Sequence, residues 1–307
     1  AAAAQKNSAR PPVYPAMNIL SIAAEPLATL PYINAASGGG SVRAELPILR
    51  GRVDALPGGL SALLVASDLQ GVAPSDTADG ALVLLGQVLA ERLGALADEG
   101  LLPPPGQLGV LLCGDLYAAP AGDVRGATGD VRAVWRAFAA HARFVVGVAG
   151  NHDLFGPAQE VERTWARPGR ERVDRGAARS TLRRFAAEPG MHLLDGQVVE
   201  LDGLRVGGVG GIIGNTRKPN RRECSDYLAL LGQVLERQPD ILVVHEGPDD
   251  PATGRRGNPE IRDFIEGTTT NLLVLCGHCH WPAPLAILAG GNQVLNADAR
   301  AILLHAA

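Results

Sequence analysis

A chain of 307 residues with 46% hydrophobic content can bury one large core or two smaller ones. Its charged residues, 20% of the total, leave a formal net charge of −4, which excludes a general electrostatic footprint for nucleic acid or a membrane surface, although a local cation could still draw an anionic substrate. No apolar run approaches the ~18 residues that span a bilayer, the first residues lack the basic–apolar–small order of a signal peptide, and four cysteines make no disulfide framework here, so a cytoplasmic location is expected.

Residues 1–59 read as an N-terminal extension, partly irregular. Pro11, Pro12, Pro15, Pro26 and Pro31 and the run Gly38–Gly40 interrupt it, leaving one short strand at Asn18–Ala23. From Leu60 a rhythm appears, in which short apolar runs end in polar residues. Leu63–Ala66 runs into Ser67-Asp68, Val110–Cys113 into Gly114-Asp115, and Phe144–Ala149 into Gly150-Asn151-His152-Asp153. Ile241–Val244 runs into His245-Glu246, and Leu272–Cys276 into Gly277-His278. Such runs suit buried strands. Ala81–Ala97, Val131–Ala140 and Tyr227–Gln238 carry helical spacing. Turn-like pairs within His192–Ile213 predict a second sheet. Alternating strands and helices predict a layered α/β domain.

In open α/β sheets the carboxyl ends of strands converge on the ligand site. Asp68, Asp115, Asn151, His245, His278 and His280 all stand at such ends. Carboxylates, an amide oxygen and imidazoles suit manganese, iron or zinc, and the His278-x-His280 spacing suits a bend from which both rings reach one centre.

The series Ser67-Asp68-Leu69-Gln70-Gly71, Gly114-Asp115, Gly150-Asn151-His152-Asp153, His245 and Gly277-His278-Cys279-His280 resembles the five-block signature of the calcineurin-like metallophosphoesterases, in the family's order, over roughly residues 60–282. The resemblance implies a four-layered α/β/β/α sandwich and a catalytic domain over residues 60–307. It implies two divalent metal ions, with manganese expected and iron or zinc as alternatives. Asp115 would bridge them; Asp68 and His280, with Gln70, would hold the first; Asn151, His245 and His278 would hold the second. His152, oriented by Asp153, would serve the leaving oxygen. The implied reaction is hydrolysis of a phosphate ester, a nucleotide among the candidates, by a metal-activated hydroxide.

Two departures stand out. Gln70 occupies the family's usual histidine position and is a weaker, harder donor. Tyr117 is two residues after Asp115, whereas the purple acid phosphatases place their tyrosine three after. The segment His245-Glu246-Gly247-Pro248, with Gly257 and Arg262, resembles members with a His-x-x-Pro turn and slightly favours a diester over a monoester.

Other readings compete. Gln70 leaves room for a scaffold protein that keeps the fold without turnover. Cys276-Gly277-His278-Cys279 spells a redox motif but lacks an aromatic-Cys lead-in; Cys113 and Cys276 are expected inside strands. Gly207–Gly211 is expected to turn close to the metal site, Arg217–Arg222 to be a solvated loop, Glu160–Arg184 a solvated helical cap, and His141, His192 and His305 surface or packing residues.

Overall fold

The computed structural model describes residues 17–156, 185, 186 and 188–307; the expected cap over Glu160–Arg184 lies outside them but for its neighbour Phe185. Three strands open the chain: β1 (Ile19–Ile22), β2 (Ala28–Ala35) and β3 (Ser41–Val53). There follow β4 (Ala62–Ser67), β5 (Val72–Pro74), β6 (Leu82–Leu84), α1 (Leu85–Asp98) and β7 (Leu108–Leu112). Next come β8 (Gly129–Asp130), α2 (Arg132–Ala140), β9 (Phe144–Gly147), β10 (Asp153–Leu154) and β11 (Met191–Leu193). The second half holds β12 (Gln197–Leu201), β13 (Leu204–Val209), β14 (Ile212–Ile213), β15 (Arg221–Arg222), α3 (Cys224–Leu235) and β16 (Ile241–Glu246). It ends with α4 (Pro259–Thr268), β17 (Leu273–Gly277), β18 (Leu285–Ile287), β19 (Gln293–Asn296) and β20 (Arg300–Ala306).

One sheet runs in the order β11-β9-β7-β4-β20-β3-β2-β5-β6, with β1 also on β3; the other runs β12-β13-β16-β17-β19-β18. Side chains of a strand alternate between faces, and the central strands are apolar on both. In β4, Leu64 and Ala66 join a core with Leu85 and Leu89 of α1, whereas Leu63 and Val65 face Ile241 and Val243 of the opposite sheet. In β16 the intervening residues, Leu242 and Val244, pack on Tyr227 and Leu231 of α3. Three stacked cores therefore separate four layers, and the fold is the α/β/β/α sandwich. Parallel strands covered on both faces require the continuous apolar runs that mark them in the sequence.

The stretch after Asn18 differs from the expected loop. Only β1 matches the expected short strand; β2 and β3 pair from Ala28–Ile48 to Ala35–Ser41, and β3 also lies parallel to β20. The glycine run is the hairpin turn: Gly39 and Gly40 adopt φ of +91° and +75°, and the Ala36 amide donates to Gly40 at 2.9 Å. Pro31 and Pro47 occupy alternate pairs of the ladder, opposite Glu45 and Thr29, so both fall on one parity and the strand persists. The head of the expected helix Ala81–Ala97 is likewise a strand, β6, paired with β5. Helix α4 starts where Asn258 accepts the amides of Glu260 and Ile261 at 3.1 and 3.2 Å, with proline first in the helix.

Candidate metal centre

Parallel register brings the carboxyl ends of β4, β7, β16 and β17 together. Ser67 closes β4, and the Asp68 amide then donates to Gly114 beyond β7 at 2.9 Å. Asp68, Asp115 and His278 adopt φ of +53°, +56° and +67°, a left-handed backbone that L residues seldom enter; it turns their side chains off the strands toward one another. Gly277 is required by this crowding, because a Cβ there would stand 2.0 Å from Ser67 Oγ and 2.2 Å from Asp68 Oδ2.

The donor atoms of Asp115, His245 and His278 lie within 4.8 Å of one another. His245 Nε2 is 3.4 Å from Asp115 Oδ2 and 3.1 Å from Asn151 Oδ1, and the His245 and His278 rings stand 5.1 Å apart. His245 Nδ1 lies 2.8 Å from the Cys113 carbonyl. A carbonyl only accepts, so Nδ1 carries a proton and Nε2 turns to the centre. Asp68 Oδ2 accepts the His278 amide at 2.8 Å and the Ser67 hydroxyl at 2.7 Å. Of these, Asp68, Asp115, Asn151, His245 and His278 are site residues expected from the sequence, whereas Ser67 and the Cys113 carbonyl are not.

Three expected details differ. Gln70 presents its amide nitrogen, not its oxygen, to Asp115 Oδ2 at 3.0 Å. His280 stands apart from the cluster, with a side chain 60% exposed, and pairs with Asp298 through Nδ1 at 2.9 Å. Asp153 does not reach the His152 ring. Its Oδ2 accepts the amides of Asp115 and Gly150, each at 2.8 Å, and its Oδ1 that of Leu116 at 2.7 Å. The His152 ring instead lies against Thr128, with Nδ1 3.2 Å from the hydroxyl, while the His152 amide donates to Asp115 Oδ1 at 2.8 Å.

Nor is the loop before α3 simply solvated. Asn220 Nδ2 donates to the carbonyls of Gly150 and Asp153 at 2.8 and 2.7 Å. Arg222 donates to Gly210 at 2.7 Å and pairs with Asp195 at 2.5 Å. The glycine-rich turn after β13 packs on the chain that leads to Asn151, its Gly211 amide donating to Ala149 at 2.8 Å. Thr128 and Asp298 went unnoticed in the sequence, because each acts from a loop with no motif of its own, and Asn220 was read only as part of a solvated loop.

The electrostatics fit a cation. Burial, with the Asp115 charge adding to it, pushes the Asp68 carboxyl up to about 8, and burial with Asp115 raises Asp153 to about 6. Burial and the His245 charge depress His278 to about 4. Burial alone would lower His245 too, but the carboxylates of Asp115 and Asp68 raise it to about 10. The centre thus gathers buried carboxylates around one protonated ring, an unfavourable balance that divalent cations relieve. The thiols of Cys276 and Cys279 are held up by burial, the opposite of what a reactive thiolate needs, and all four cysteines are free.

Comparison with known proteins agrees with this geometry. The family model described as calcineurin-like phosphoesterase matches residues 62–282. A solved structure of TT1561 from Thermus thermophilus shares the fold at 18% identity and a TM-score of 0.51, covering 77% of this chain and 88% of that one. A hypothetical protein from the same organism aligns at 13% identity and a TM-score of 0.42, covering 76% and 75% of the two chains. No protein of curated function matches significantly, and among the described residues no helix is long and apolar enough to cross a membrane. The matched span takes in every strand end that feeds the centre, and the chain belongs to the calcineurin-like phosphoesterase family of metal-dependent phosphoric ester hydrolases.

Proposed function

We propose that this protein hydrolyses a small phosphate ester, with a slight preference for diesters, at a centre of two divalent ions, manganese first among the candidates. The observation that carries the reading is the placing of Asp115, whose Oδ2 meets His245 and Gln70 while Oδ1 meets the His152 amide. Asn151, His245 and His278 would hold one ion; Asp68 would hold the other, joined by Gln70 once its amide turns its oxygen inward and by His280 once its exposed ring swings in, with Asp115 shared between them. Bound ions supply Lewis-acid charge and an acidified water.

The protein's own groups do the rest. His152 serves the departing oxygen, its ring fixed by the Thr128 hydroxyl at Nδ1. Asp153 fixes the backbone from which Asp115 projects. Asp298 accepts the proton on His280 Nδ1, leaving Nε2 of that ring as a ligand.

The test is hydrolysis of bis-p-nitrophenyl phosphate and p-nitrophenyl phosphate by metal-stripped protein given Mn²⁺. Turnover of at least one, faster for the diester, is expected. Bound metal with activity on neither would favour the scaffold reading.

A further inference from the structure

A cavity of 360 Å³ opens beside the centre, walled by separate stretches of chain. One wall is the tip of the β2–β3 hairpin, from Asn34 to Val42; the opposite wall is the loop from Tyr117 to Ala127; Asp68, Gln70 and Asp298 close the end nearest the centre. The family match begins at residue 62 and ends at 282. The hairpin wall therefore lies outside the matched region, while the metal-ligand end lies largely within it.

The loop wall is firmly seated. A Cβ at Gly122 would stand 3.0 Å from both Ile33 and Val72, and one at Gly126 would stand 3.3 Å from the His152 ring. The chain between them is thus pinned to the hairpin at one end and to His152 at the other. Arg125 sits in that interval and is the one cationic side chain among the described lining residues. It makes no ion pair or hydrogen bond among the described residues. Val42 and Val124, 50% and 56% exposed, form apolar lips on the two walls, and the half-buried Tyr117 also lines the cavity.

Charge is therefore divided along the cavity. Carboxylates occupy the end where cations would sit, and the Arg125 guanidinium, unpaired among the described residues, occupies the wall beside the residue that serves the departing oxygen. The volume falls within the range of small-ligand sites, and the open guanidinium can grip a carboxylate or phosphate with two parallel bonds. We infer that this cavity receives the leaving group of the ester, and that Arg125 binds a second anionic group carried on it. The substrate class is then a small phosphate ester whose alcohol has an apolar or aromatic body and a further carboxylate or phosphate. The inference rests on the phosphoesterase reading above.

Calorimetry of the Mn²⁺-loaded protein with three non-hydrolysable phosphonates tests it: benzylphosphonate, 4-carboxybenzylphosphonate and p-xylylenediphosphonate. At least one of the two with a second anion is expected to bind about tenfold more tightly than benzylphosphonate, and the favoured one tells carboxylate from phosphate. Arg125→Ala should abolish that advantage while melting at the wild-type temperature, and Arg125→Lys should retain part of it. Val42→Trp, at the opposite lip, should weaken all three. Equal affinities in the wild type, or an advantage that survives Arg125→Ala, would overturn the inference while leaving ester hydrolysis standing. Failure of all three to bind, with no hydrolysis of the nitrophenyl esters, would overturn both.

Discussion

Asp153 grips the backbone of Asp115: the Asp115 amide donates to its Oδ2 at 2.8 Å, and the next amide, Leu116, to its Oδ1 at 2.7 Å. A carboxylate that appears in the sequence as the partner of its neighbour His152 is in fact the clamp on a residue 38 positions away. Asp153→Asn would turn an amide N–H₂ toward buried N–H donors. It should lower stability by about 1–3 kcal/mol and loosen metal binding, read by urea denaturation and Mn²⁺ titration. An unchanged midpoint with an altered pH–rate profile would return Asp153 to the His152 ring.

His152 touches the centre through its backbone amide, while its ring is held apart by the Thr128 hydroxyl. His152→Ala should therefore cut kcat by about 10²–10⁴ while the protein keeps its metal content. Thr128→Val should cost less, since it removes the ring's anchor and not the ring. Steady-state kinetics beside elemental analysis separates these outcomes from simple metal loss.

Asp298 holds His280 at 2.9 Å, and such outer carboxylates orient imidazole ligands. Asp298→Asn should weaken the ion on the Asp68 side by about 10–100-fold, and Gln70→His should strengthen it. The ion on the Asn151–His245–His278 side should hardly change in either variant. Two-phase Mn²⁺ binding followed by electron paramagnetic resonance resolves the two; a single phase insensitive to Asp298 would count against its role.

Protons compete with metal here. In the metal-free protein Asp68 is raised to about 8 by burial and Asp115, and His245 to about 10 by Asp115 and Asp68 against burial. Groups raised above their unfolded values stabilise the fold while protonated, and that contribution is lost as pH rises through 8 and then 10. His278, depressed to about 4, acts oppositely, and its effect is complete by its ordinary value of 6.5. Metal-free protein should thus lose stability from pH 6.5 toward 10, less steeply in His245→Gln. Mn²⁺ should release about two protons near neutral pH, measured calorimetrically in buffers of contrasting ionisation enthalpy.

The parts of this architecture legible from sequence are those where one physical demand dominates. Strands buried on both faces must be apolar throughout, so β4, β7, β9, β16 and β17 stood out, and the polar residue ending each marked the centre. The hairpin β2–β3 was hidden because one of its faces is largely open, with Arg43, Glu45 and Pro47 interleaved among Val42, Leu46 and Ile48, and because its prolines and glycines imitate a loop. Asp298 and Thr128 were hidden for another reason: each depends on a contact across the fold, Asp298 with His280 and Thr128 with His152, that no local spacing encodes.

The left-handed backbone at Asp68, Asp115 and His278 is strain that the side chains of the centre themselves hold in place. Each of these conformations costs on the order of 1–2 kcal/mol for an L residue, a burden that glycine would shed. Glycine at Asp68 or Asp115 would nonetheless leave buried donors without their carboxylate, the Ser67 hydroxyl and the His278 amide in one case and the His152 amide in the other, at a cost of about 1–3 kcal/mol for each donor. Metal-free protein with either change should therefore melt no higher than the wild type, because the bonds that shape the centre also secure its unusual backbone.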